Sequence, residues 1–295
     1  MKKDDLIELT IEDLGVDGEG IGKVDGMAIF VKDAVPGDRV QAKVMKMKKS
    51  YGYARLMQVL DPSPERTESR CAFARQCGGC QLQAMTYEAQ LDFKAKKVWN
   101  HLIRIGGITD LAKPEIIGMD DPWRYRNKAQ YPIGRGKDGK PTAGFFAGRT
   151  HSLIPVPELD CLLGCGENKD YLAAVLKFME DFGVEPYDEA NHKGLVRHVL
   201  LRKGFASGEH MVCLVINGKK LPHEKEFTER MREVGADSIS LSFNMEKTNV
   251  ILGTEIKNLY GPGYITDKIG NIEYRISPLS FYQVNPVQTE RLYGT

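Results

Sequence analysis

The chain has 295 residues, with 41 basic and 40 acidic side chains, a net charge of +1 and six cysteines. That length is enough for two or three domains with cores of their own, and the balanced charge gives no global signature of a polyanion partner. Six cysteines in so long a chain exclude a disulfide-dense secreted scaffold. With no apolar leader behind Met1-Lys2-Lys3 and no run of membrane-spanning length, the expectation is a cytoplasmic protein with no membrane partner.

Residues 1–62 read as short strands, "LIELTIEDLG", "GIGKVDGMAIFVK", "DRVQAKVMKMKKS" and "YGYARLMQVL", broken by Gly18, Gly20, Gly26 and the Pro36-Gly37 turn. Several short strands in so few residues close most easily into an OB-like all-β barrel. Between Arg39 and Arg55 lie six basic residues, Lys43, Lys46, Lys48 and Lys49 among them, and no acidic one, with Tyr51 and Tyr53 interleaved. Cations neutralise phosphates and aromatic rings stack on unpaired bases, so this is the composition of a single-strand RNA surface. A solvated strand edge guarded by lysines has the same composition.

Asp61-Pro62-Ser63-Pro64 is a stiff linker, and it leads into "CAFARQCGGCQLQ", where Cys71, Cys77 and Cys80 are spaced C-x5-C-x2-C. Cys161 and Cys165 follow some eighty residues later. Thiols crowded in this way point to a metal or iron–sulfur centre. The spacing leaves zinc and iron–sulfur both open, and five candidates for four ligand positions leave either Cys161 or Cys165 as a bystander. A helix is expected where Leu91, Val98, Leu102 and Ile105 recur at helical spacing, stopped by Gly106-Gly107.

A second basic stretch runs from Arg124 to Arg149, with seven basic residues against Asp138 alone and five aromatic residues nearby. "KAQYPIGR" and "TAGFFAG" form a hairpin. A helix with Tyr171, Leu172, Val175, Leu176, Met179 and Phe182 on its apolar face starts at an Asn168 cap and ends at Gly183. Leu195–Arg202 and His210–Asn217 read as paired strands, followed by a helix near Pro222 and strands near Ser238–Asn244 and Val250–Leu252. The expected class is α+β with an antiparallel sheet. Cys213, in the apolar run "MVCLVIN", reads as a buried core thiol.

Taken in order, the barrel-like start, "CAFARQCGGCQLQ", "WRYRNKAQYPIG", "GFFAGRTHSLIPVPELDC" and "SPLSFYQVNP" resemble the bacterial RNA (uracil-5)-methyltransferases, especially those acting on 23S ribosomal RNA. The resemblance implies a TRAM domain over residues 1–62 and an iron–sulfur/central α+β domain over 63–275, whose helical part spans 85–120. Residues 276–295 would begin the S-adenosyl-L-methionine-dependent methyltransferase domain. It also implies a 4Fe-4S cluster on Cys71, Cys77, Cys80 and Cys161, methyl-donor contact through Gln283, and RNA contact through Arg126 and Lys128 in the "YRNK" segment. In the family, a Rossmann-like domain after "QVN" supplies a glycine-rich loop, the nucleophilic cysteine and the general base. No strand, glycine-rich turn and helix of that kind follows here, so the expectation is a chain that largely lacks that fold, carries no catalytic residue of its own and is inactive alone. The remaining expectations are a monomer and a ribosomal RNA partner. The alternative function is a non-catalytic RNA-binding protein with a structural iron–sulfur or zinc site. A radical RNA-modifying enzyme would need C-x3-C-x2-C, which this chain does not have.

Overall fold

The computed structural model describes residues 1–148 and 150–295; Arg149, counted above in the second basic stretch, lies outside them. The chain forms two compact units, Met1–Asp120 and Asp121–Thr295.

The first unit opens with the expected barrel. Its strands are β1 (Leu6–Leu14), β2 (Gly20–Val24), β3 (Met27–Lys32), β4 (Arg39–Met47) and β5 (Tyr51–Asp61), closed in the order β1-β2-β3-β5-β4. Alternation decides which side chains enter. Leu9, Ile11, Ile29, Val31, Val40, Ala42, Ala54 and Leu56 fill the interior, while Phe30, Tyr51 and Tyr53 point out. Gly22 permits the tight β1–β2 curl, because a Cβ there would sit 2.4 Å from the Thr10 carbonyl oxygen.

Asp38 fastens the linker to the barrel. It is fully buried and accepts from the Val35 and Ser63 amides at 2.7 and 3.0 Å and from Arg66 through both carboxylate oxygens (Nε 2.9 Å, Nη2 2.6 Å). Removing one partner of such a pair costs roughly 3–5 kcal/mol, because the other charge is left uncompensated.

Helix α1 (Tyr87–Arg104) is capped by Thr86, whose hydroxyl accepts from the Ala89 amide. Its buried residues are Ala89 and Ala95, whereas Val98 and Ile105 of the expected stripe are 51% and 81% exposed. Small side chains allow close approach, and the helix settles on its alanine side instead. The helix ends at residue 104, so the expected helical stretch of 85–120 is shortened. Residues 105–120 return as irregular chain, pinned by Trp99 Nε1 donating to Leu111 O (3.0 Å) and the Met119 amide donating to the Tyr87 hydroxyl (2.7 Å).

The second unit is built on a seven-stranded sheet ordered β12-β11-β10-β9-β6-β7-β8. Its strands are β6 (Lys128–Arg135), β7 (Pro141–Phe146), β8 (Leu153–Pro155), β9 (Val196–Lys203), β10 (His210–Ile216), β11 (Ser238–Phe243) and β12 (Glu255–Tyr260). Helices α2 (Asn168–Phe182) and α3 (Glu224–Glu233) cover one face, burying Tyr171, Leu172, Val175, Phe178, Phe227 and Met231 against Val199, Leu201, Val212, Leu214, Ile239 and Leu241. Gly183, in the left-handed region at φ 62°, ends α2 as expected. Asn168 lies one residue inside the helix, and its amide donates to the Tyr131 hydroxyl (3.2 Å). The hairpin β13 (Ile265–Ile269) and β14 (Ile272–Ile276) and helix α4 (Pro286–Gly294) complete the unit.

Several parts of the expected fold class are corrected. The sheet is mixed rather than antiparallel, because α3 intervenes between neighbours β10 and β11 and carries the chain back to start β11 parallel to β10. The strand expected at Val250–Leu252 is irregular, and the strand that pairs there is β12. The domain expected to carry an iron–sulfur cluster shows no donor set for one: among the described residues no three His, Cys, Asp or Glu side chains are gathered closely enough to hold a metal ion.

The face opposite the helices is also buried, yet polar. Lys128, Arg202, His198, Cys213, Ser238, Ser240 and Ser242 fall on it by alternation, and the last six of these are buried. Burial, followed by repulsion from Arg197, lowers the His198 pKa to about 4, so this ring is neutral in the folded protein. The unfolded ring titrates near 6.5, so between pH 6.5 and 4 the unfolded state binds more protons. Stability should therefore fall by roughly 3 kcal/mol on acidification through that window and level off below it. Denaturant titration at a series of pH values should show this slope in the natural protein and its loss in His198→Gln.

Candidate functional site

The segment 277–285, Ser277-Pro278-Leu279-Ser280-Phe281-Tyr282-Gln283-Val284-Asn285, carries no helix or strand, and its order comes from donors beneath it. Buried Arg202 donates through Nη2 to the Pro278 and Ser280 carbonyl oxygens at 3.3 and 2.5 Å. Asn127, also buried, donates from Nδ2 to Gln283 O and from its backbone amide to Val284 O, both at 2.9 Å. Asn285 then caps α4 by accepting from the Gln288 amide (3.0 Å), with Pro286 at the first helical position.

With the carbonyls held in this way, the side chains alternate. Tyr282 turns inward against Tyr274 (ring centroids 5.6 Å apart), and burial together with the nearby Asp267 carboxylate raises its hydroxyl pKa. Phe281 and Gln283 turn outward, Phe281 being 86% exposed. An exposed phenyl face beside an amide that both donates and accepts suits a heterocycle with a polar edge.

Arg126, Lys128 and Arg202 lie close to one another. Burial, then repulsion from Arg202 and Arg126, lowers the Lys128 pKa, and burial lowers that of Arg202 to about 10. Among the described residues no carboxylate pairs with any of the three, so an anion that entered here would relieve the repulsion on Lys128. Arg202 was missed by sequence reasoning; its one signal is a charge inside the apolar run of β9.

Loop 160–165 is stapled to residues 124–126. Arg124 forms a bidentate pair with Asp160 and donates to the Cys161 and Gly164 carbonyls at 3.2 and 3.3 Å. Cys161 is half-buried against the core. The Cys165 thiol donates to Arg126 O (3.3 Å), and burial pushes its pKa up to about 11.

In the first unit, Cys71, Cys77 and Cys80 are half-buried in one irregular loop, where the Gly79 amide donates to Cys77 Sγ (3.3 Å). The described residues offer no three-donor set, so the four-cysteine ligand expectation has no support from them. On the barrel, Lys43 is committed to Asp4 (2.9 Å), while Lys46, Lys48 and Lys49 are exposed. Beside them Phe30, Tyr51 and Tyr53 form a three-ring cluster with centroids 5.6–5.7 Å apart. Lys46 and Tyr53 are cross-strand partners.

Comparison with known proteins agrees with parts of the sequence reading. The TRAM domain family matches residues 5–57. The chain is 46% identical over 295 residues to an uncharacterized RNA methyltransferase of Halalkalibacterium halodurans, covering 99% of this chain and 64% of the relative. It is 44% identical to another from Clostridium tetani, again covering 64% of that relative. The chain thus spans somewhat less than two thirds of the length of these relatives. Among solved structures it is similar to the tRNA (uracil-54, C5)-methyltransferase of Pyrococcus abyssi in complex with S-adenosyl-L-homocysteine. The TM-score is 0.77 at 26% identity, covering 97% of this chain and 63% of the other. The likeness over 97% of this chain to a structure that holds S-adenosyl-L-homocysteine does not support the expectations of a chain largely lacking the methyltransferase fold and inactive alone, and they are withdrawn. No helix among the described residues is long and apolar enough to cross a membrane.

Lys128→Met should separate stability from binding. Replacing the half-buried ammonium removes a desolvated charge and its repulsion from Arg202 and Arg126, so thermal denaturation should show a raised Tm. The same substitution should weaken RNA binding and reduce the slope of log affinity against log salt by about one.

Proposed function

We propose that this chain serves the transfer of a methyl group from S-adenosylmethionine to carbon 5 of uracil in RNA. The observation that carries the reading is the braced segment 277–285, which presents Phe281 and Gln283 outward. It belongs to a chain similar over 97% of its length to a uracil-C5 methyltransferase that holds S-adenosyl-L-homocysteine, the methyl donor after transfer. When bound, the donor supplies an electrophilic methyl group. The Gln283 amide would hold a polar edge of the donor, and the Phe281 ring would offer a stacking face.

Carbon 5 of uracil becomes a nucleophile only after a thiolate adds to carbon 6, and a base must later take the proton from carbon 5. Neither Cys213 nor Cys165 is that thiolate. Burial holds both near a pKa of 11, so they are protonated at neutral pH, and Cys213 is fully buried in β10. The target base must leave its stack to react, which favours unpaired RNA held by its backbone. Arg126 and Lys128 supply unpaired cations for phosphates in the second unit. Lys46, Lys48 and Lys49 do so on the barrel, where the Phe30, Tyr51 and Tyr53 rings can stack on bases. Lys43 contributes less because Asp4 already neutralises it.

Ribosomal RNA is the substrate implied by the order of motifs, whereas the Pyrococcus abyssi enzyme is named for tRNA. Full-length protein given labelled methyl donor and either RNA, each lacking the modification, should place label in ribosomal RNA as 5-methyluridine, and Gln283→Ala should reduce that transfer. Label on tRNA alone would overturn the ribosomal assignment, and label on any atom other than carbon 5 would overturn the chemistry. Charge reversal of Lys46 and Lys48 together should weaken RNA binding at least tenfold at low salt in a filter-binding titration. Unchanged affinity there would remove the barrel from the binding surface.

A further inference from the structure

The groups that hold Gln283 in place are as specific as the residue itself. Asn127 directs two donors at consecutive carbonyls of the segment, Nδ2 at Gln283 O and the backbone amide at Val284 O, each at 2.9 Å. Its own carbonyl accepts from the Lys203 amide (2.9 Å), which ties it to β9 next to Arg202. The side chain is buried at 4% exposure, and its Oδ1 has no partner among the described residues. A side-chain oxygen left unpaired in the interior is costly, so this asparagine is not retained for its own satisfaction. Alanine or leucine would fill a buried position at less cost. What those residues lack is a donor reaching the carbonyl of Gln283.

We propose that Asn127 is a positioning residue for the methyl-donor site and acts through Gln283. Arg202, on Pro278 O and Ser280 O, anchors the near end of the segment, and Asn127 anchors the residue that makes the contact. A held carbonyl fixes the peptide plane of Gln283 and therefore the direction in which its side chain leaves the backbone. Without that bond the exposed segment would sample other peptide orientations, and ordering it again would draw on donor binding energy. Asn127 thereby sets donor affinity without touching the donor. This inference rests on the reading of Gln283 as a methyl-donor contact.

The test is a double-mutant cycle on the full-length protein, with Michaelis constants measured separately for S-adenosylmethionine and for unmodified RNA. Gln283→Ala should raise the methyl-donor KM by about tenfold. Asn127→Ala should raise it by a similar factor and leave the RNA KM unchanged, and the double variant should be no worse than either single one. Asn127→Asp keeps the shape of the side chain while replacing its donor by an acceptor. It should reproduce the rise, so the test survives if the alanine variant folds poorly. Asn127 variants with the natural methyl-donor KM beside an impaired Gln283→Ala would overturn the positioning role alone. Additive effects in the double variant would overturn it as well, by showing that Asn127 acts on the fold in general. A Gln283→Ala enzyme with the natural KM would overturn the reading of Gln283 itself and this inference with it.

Discussion

A guanidinium buried in a sheet is the constraint from which the site follows. Arg202 sits in β9 with 4% exposure, where its backbone groups serve the strand ladder and its side chain has no carboxylate partner among the described residues. Neutral carbonyls are the acceptors left, and segment 277–285 supplies two of them. A chain whose carbonyls point to side-chain donors beneath it cannot also offer them to a neighbouring strand, so the segment stays irregular although it is well ordered. That is why Tyr282 is drawn in while Phe281 and Gln283 face solvent on a fixed backbone. A regular strand would have shared the same alternation but given its carbonyls to a neighbour, covering at least one side.

Electrostatics add a second demand. Arg126 and Lys128 join Arg202 with no acid among them, and the lowered Lys128 pKa reflects both its burial and this crowding. Fold stability alone would favour a neutral residue at position 128. Other cations of the same unit do have acidic partners: Lys203 pairs with Glu167, Arg124 with Asp160 and Arg230 with Asp181. A polyanionic substrate that reached the segment would deliver charge to this group.

How much of this was legible in the sequence depends on the range of the physics involved. The barrel was legible because alternation and turn residues act over a few positions, and the five-strand closure follows from them. The apolar face of α2 and its Gly183 stop were legible for the same reason. The buried side of α1 was not: periodicity marks Leu91, Val98 and Ile105, but tertiary contact chose the small side chains Ala89 and Ala95. The parallel pairing of β10 with β11 was also hidden, since strand direction depends on where a crossover helix lands rather than on either strand's composition. Gln283 could be singled out only through resemblance, and Arg202 only by its charge inside the apolar run of β9, which says nothing of its acceptors. Its partners are 76 and 78 residues away and are backbone atoms, which carry no residue-type signature.

The cysteines show the same limit from the other side. C-x5-C-x2-C is a strong local signal because it concerns residue type and loop length, yet ligation requires sulfurs to converge, and convergence is a property of side-chain rotamers and loop turns. Here Cys77 Sγ accepts from the Gly79 amide inside its own turn. The two buried thiols are different in kind. Cys165 donates to a backbone carbonyl, and Cys213 lies in the interior of β10, each held protonated by burial. A thiol with a raised pKa in an apolar setting is a packing group and a weak donor, not a nucleophile. On the proposed function, oriented amides and cations would bind and position, and the orientation of Gln283 would follow from how firmly Asn127 and Arg202 hold the segment that carries it.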